Sequence, residues 1–176
     1  ASCTATVTVT GLTPIPAIQG SGATSPYAGQ SVTTRGVVTK LLNNGFYMQD
    51  EAGDGDPATS DGIFVFTSTA PAVTVGDRLQ VAGTVAEFKP AGAPADYRPV
   101  TEITAPGITV LASGISIAPT VISLPEAADG DLERYEGMLV TIATPLTVSQ
   151  NYFLGRYGQA TLAAGGRLVK PTDAFP

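Results

Sequence analysis

The chain has 176 residues, 43% of them apolar, and a formal net charge of −6. That is enough apolar material for one ordinary packed domain and argues against global disorder. The absence of His excludes a Ser-His-Asp triad, a Cys-His pair and a His-based zinc site, and no run nears the roughly 18 apolar residues of a membrane helix.

Thr, Val, Gly and Pro dominate, and no run has the spacing of an amphipathic helix, which is an all-β composition rich in turns. Residues 1–16 open with TATVTVT and read as an N-terminal tail or edge strand, followed by the loop IQGSGATSP. The single Cys3 cannot form an internal disulfide and leaves the redox compartment open. GQSVTTRGVVTKLL is a long period-two strand expected to bend at Gly36. Asn43-Asn44-Gly45 signals a tight turn into a second strand, GFYMQD. An acidic loop follows, and GIFVF is the third strand. VGDRLQVAGTVAEF alternates as a fourth, KPAGAPADYRP is a loop, and VTEIT with GITVLA makes a fifth strand in two pieces.

Five short strands, the first long and glycine-broken, suggest an OB-like five-stranded Greek-key barrel over residues 17–112. A β-sandwich is the alternative that strand counting leaves open. Residues 113–132 read as a connector, with EAADGDLERYEG offering one helical turn. Gly29-Gln-Ser-Val32-Thr33 then matches Gly137-Met-Leu-Val140-Thr141 at a constant offset, and Asn44-Gly45-Phe46 resembles Asn151-Tyr152-Phe153. This repeat predicts that residues 133–176 carry the first strands of a second, incomplete OB-like unit.

The charge is local. Asp50, Glu51, Asp54, Asp56 and Asp61 are five of the 15 acids; without them ten acids stand against nine bases. Such a balance disfavours strong, sequence-independent binding to duplex DNA. Asp50, Asp54, Asp56 and Asp61 form a candidate Ca²⁺ loop, because hard cations take carboxylate and carbonyl oxygens. The spacing departs from the EF-hand register, and the plainer reading is turn chemistry between strands two and three. Nothing places two of these carboxylates across a pocket for acid–base work.

An OB barrel binds ligands on the face of strands two and three and on the loops after strands one and four. Here Tyr47, Lys89, Tyr97 and Arg98 are the candidate nucleic-acid contacts, rings stacking bases and cations meeting phosphates. Alternation requires that one set of the strand aromatics, Phe46 with Met48 or Phe64 with Phe66, faces the core instead.

The stretches IQGSGATSPYAGQSVTTRGVVT, GFYMQDEAGDGDPATSDGIFVF, VGDRLQVAGTVAEF, LERYEGMLVTI and NYFLGRYGQATLAAGGRL, in this order over residues 17–172, resemble the OB-fold region of secreted bacterial nucleases of the ExeM/NucH kind. In that family the region precedes a metal-dependent endonuclease/exonuclease/phosphatase-type domain. The resemblance implies a secreted or cell-surface parent and a non-catalytic accessory module. That module would position extracellular DNA for, or pack against, the parent's catalytic domain. No catalytic residue carries over to this chain. Where the family pattern leads to an expected His, the chain has Pro16-Ala17-Ile18-Gln19. The competing reading is a structural spacer without nucleic-acid ligand, calcium-stabilised if the acidic loop takes an ion.

Overall fold

The computed structural model describes residues 11–169; Cys3 and the TATVTVT segment lie outside them. The chain is all-β, as its composition predicts. Its elements are a short helix α1 (Ile15–Gln19), strands β1 (Ser31–Leu42), β2 (Gly45–Gln49), β3 (Gly62–Phe66), β4 (Arg78–Phe88), β5 (Val100–Ala112), β6 (Thr120–Ile122), β7 (Val140–Ile142), β8 (Leu146–Gln150) and β9 (Thr161–Ala164), with a second helix α2 (Leu154–Tyr157) before β9. A single 3-10 turn, Glu133–Tyr135, is the helical turn expected in that region. Among the described residues no helix is long and apolar enough to cross a membrane.

Strands β1 to β5 close into a barrel in the order β1-β2-β3-β5-β4. The long β1 makes closure possible: its first half pairs antiparallel with β4 and its second half with β2. The irregularity in β1 falls between Val38 and Lys40, where a bulge re-phases the strand, rather than at Gly36. The remaining seam is a short parallel pairing, Phe64 to Glu102 and Val65 to Ile103. Strand β5 is one continuous element; Ala105, at φ 49°, absorbs an extra residue opposite Ala82 and Thr84, so the expected break is a bulge.

Alternation decides the core. Phe46, Met48, Ile63, Val65, Leu79, Val81, Val85 and Ile103 point inward and are essentially inaccessible. Each such side chain contributes about 1.5–3 kcal/mol through removal from water. Ile15 and Ile18 of α1 join the same cluster, three residues apart and therefore on one side of the helix. Ile15, read as tail, and Ile18, read as loop, are thus part of the hydrophobic core. Five residues are too few to show helical periodicity, although Pro16 near the start and Gly20 at the end are the expected punctuation.

Close packing also fixes particular glycines. A Cβ on Gly45 would fall 2.4 Å from the Val65 carbonyl oxygen and 2.5 Å from the Phe64 ring. The Phe64 ring therefore depends on the bare backbone of its neighbouring strand.

The described chain divides into two units. Among the described residues, one contains 11–119 together with Leu132–Leu139; the other contains Thr120–Asp131 and residues 140–169. Residues 133–139, expected to open the second unit, are instead bonded onto the barrel. In the smaller unit β6 and β7 pair in parallel and β8 and β9 antiparallel. The sequence repeat is visible as a local likeness, since Gly29 and Gly137 both adopt positive φ just before a strand. The likeness stops there. Val32 lies in an antiparallel barrel strand and Val140 in a parallel pair, and the residues after Asn151 turn into α2 instead of a strand.

Candidate functional site

The outer face of the barrel carries a cleft of about 360 Å³. Its side chains follow from strand register. Lys40 pairs with Tyr47, Tyr47 with Phe64, and Phe64 with Glu102, so one row crosses four strands with an exposed cation at one end and a carboxylate at the other. Neighbouring members stand about 4.8 Å apart. The Tyr47 and Phe64 rings are tilted at 49° with centroids 4.9 Å apart, within the favoured range for aromatic pairs. Phe66, Phe88 and Val100 widen the apolar floor, and Tyr97 closes the cleft from the β4–β5 loop.

Two of the four residues expected to contact nucleic acid, Tyr47 and Tyr97, line this cleft together. Lys89 and Arg98 are exposed and each directly follows a lining residue in the chain, Phe88 and Tyr97. They lie at the rim and not among the lining residues. Alternation sorts the strand aromatics: Phe46 and Met48 are in the barrel core, whereas Phe66 and the largely buried Phe64 line the cleft with Tyr47. Sequence reasoning missed Phe88 and Glu102. A glutamate inside the strand pattern VTEIT was the available signal, because strand carboxylates beside apolar neighbours need an explanation.

Glu102 is only 8% exposed, and burial pushes its carboxyl above the usual range. The Tyr47 hydroxyl is also pushed up, first by burial and then by the carboxylates of Glu136 and Glu102.

A second polar centre lies where Leu132–Leu139 meets the barrel. The Glu136 carboxylate accepts a hydrogen bond from the Thr101 backbone N–H at 2.9 Å and one from the Gln19 amide at 3.4 Å. The Ser60 hydroxyl donates to the Glu136 carbonyl at 2.6 Å, and the Leu139 N–H donates to Gln49 Oε1 at 2.9 Å. Gly62 and Gly137 pass so closely that a Cβ on Gly62 would fall 2.3 Å from the Gly137 carbonyl carbon. Burial raises the Glu136 carboxyl to about 7, opposed by the Thr101 N–H and reinforced by the nearby Glu133 charge.

The acidic loop spends its carboxylates on itself. Asp50 Oδ1 accepts from the N–H groups of Ala52 and Gly53, Asp54 Oδ1 from Asp56 N–H, and Asp56 Oδ1 from Ala58 N–H. These are Asx-type turns, the chemistry that favours Asp in loops. Thr59 also donates to Asp54. Asp61 is pushed up by burial and then by the charges of Asp54 and Asp50. Asp50 and Asp61 border a polar recess of about 330 Å³ with Gln49 and Ser116, whereas Asp54 and Asp56 do not. Glu51 is engaged by Arg78 at 2.5 Å. Among the described residues no three Asp, Glu, Cys or His side chains are grouped so as to hold a metal ion. No family model matches the chain, and no curated protein matches it.

Proposed function

We propose that this chain is a non-catalytic, OB-like accessory module of a secreted nuclease, and that its aromatic cleft holds a single DNA strand for the metal-dependent catalytic domain of the same parent. The observation that carries the reading is the row Lys40–Tyr47–Phe64–Glu102 with Tyr97 above it. Flat rings on a sheet face take unpaired bases of any sequence, while cations at the rim meet the backbone. A chain without His offers little for hydrolysis, which suits an accessory role. The ordered likeness to the nuclease region supports the parentage.

Titration of labelled single- and double-stranded octamers at low salt tests this. Single strands are expected to bind better, because stacked duplex bases cannot reach the rings. Among the described residues Lys40 and Lys89 are exposed cations beside the cleft, so the salt dependence is shallow, with a log–log slope of about −1.4. Tyr47→Ala and Tyr97→Ala should each weaken binding about tenfold. Absence of binding, or binding indifferent to both substitutions, overturns the proposal. The net charge of −6 and the carboxylate in the cleft favour the second reading, a spacer without nucleic-acid ligand, and absence of binding would select it.

A further inference from the structure

The cleft is built from rings, yet its floor holds one carboxylate. Glu102 is 8% exposed and lines the cleft, and no hydrogen-bond donor among the described residues reaches it. Burial is the sole cause that raises its carboxyl, in keeping with a group that has lost part of its water. A carboxylate short of water gains from any donor that reaches it. The same register row puts Glu102 beside Phe64 and one strand further from Tyr47, at the edge of any ring stacked on those two side chains.

We propose that Glu102 makes the cleft selective for guanine among single-stranded bases, its two oxygens accepting the paired N1–H and N2–H donors of the Watson–Crick edge. This rests on the cleft being a single-strand site. A carboxylate is acceptor-only when ionised, and paired donors satisfy both of its oxygens. Adenine and cytosine present one amino group next to a ring-nitrogen acceptor, which repels the second oxygen. Thymine presents a single N–H between two carbonyls and fits worst. Unpaired bases are read on this edge when splayed onto aromatic side chains.

The experiment compares three labelled octamers by fluorescence anisotropy at low salt: all thymidine, the same with two central guanines, and the same with two central hypoxanthines, which lack the 2-amino donor. The guanine octamer is expected to bind at least about tenfold tighter than the thymidine octamer, with hypoxanthine between them. Glu102→Gln, whose amide replaces one acceptor by a donor, should bring all three within about twofold. Equal binding of guanine and thymidine octamers to the wild-type chain overturns the inference while leaving the single-strand site intact, as does a guanine preference that survives in the variant. Failure of every octamer to bind overturns the single-strand site itself. The hypoxanthine comparison uses the wild-type chain, so the result stands even if the variant folds poorly.

Discussion

Replacing Glu136 by Gln should stabilise the protein at neutral pH. The carboxyl lies where residues 132–139 dock on the barrel, its value raised from 4.5 to about 7. The folded chain therefore holds this proton more tightly than the unfolded chain. Its contribution to stability is complete below about pH 4.5 and drains away as the pH climbs to about 7. At about 1.4 kcal/mol per pH unit, that window corresponds to roughly 3 kcal/mol. Water still reaching the group trims this to about 2 kcal/mol. Glutamine keeps an oxygen to accept from Thr101 N–H and the Gln19 amide and carries no charge to desolvate or to repel Glu133 and Glu87. Urea unfolding followed by circular dichroism should show the variant about 2 kcal/mol more stable at about pH 8 and equal to wild type at about pH 4.5. In thermal melts near pH 8 the difference is about 4–8 °C for a chain of this size. A variant less stable than wild type at pH 8, or a difference that ignores pH, refutes the reasoning.

Two other outcomes follow from the geometry. Gly45→Ala should lose about 2–3 kcal/mol in urea unfolding, because its methyl lands on the Val65 carbonyl and the Phe64 ring; a loss under about 0.5 kcal/mol would mean that β2 and β3 slide apart freely. The melting temperature in millimolar Ca²⁺ and in chelator should agree within about 1 °C, since a native-state ligand would raise it and the loop carboxylates already accept backbone N–H groups. A rise of several degrees would show that the loop reorganises around an ion.

The barrel strands were legible because their signals are local. Period-two alternation, the Asn43-Asn44 turn and the Gly-Asp turn before β4 each act over a few residues. Which ring faced outward was not legible from β2 alone, where Phe46 and Tyr47 are equally aromatic. It is settled by neighbours across the sheet, through the register that puts Tyr47 opposite Phe64. Helix α1 escaped because two isoleucines do not make a period, and its stability comes from the barrel core they enter. The role of Glu136 was out of reach for another reason. LERYEG reads as an ordinary charged turn, and its partners Gln19, Ser60 and Thr101 stand 117, 76 and 35 residues away. The acidic loop is a different case. Its composition suits an ion and a turn alike, and the structure shows the turn chemistry, with Asp50, Asp54 and Asp56 accepting backbone N–H groups along the 12-residue connection between Gln49 and Gly62.

The return of Leu132–Leu139 to the barrel has a consequence for how the chain can be made and divided. The backbone leaves the barrel unit after Pro119, visits the other unit, comes back for eight residues and leaves again. During synthesis, all five barrel strands emerge before the piece that caps Gln19, Ser60 and Thr101 exists. Until then, those polar groups and the glycine at 62 face solvent. No single cut separates the units cleanly: ending the chain at Ala112 strips the barrel of its last partner, and ending it at Leu139 carries β6 along without β7. A cut anywhere along the chain therefore takes a piece of one unit with the other, because the chain passes through the barrel unit twice.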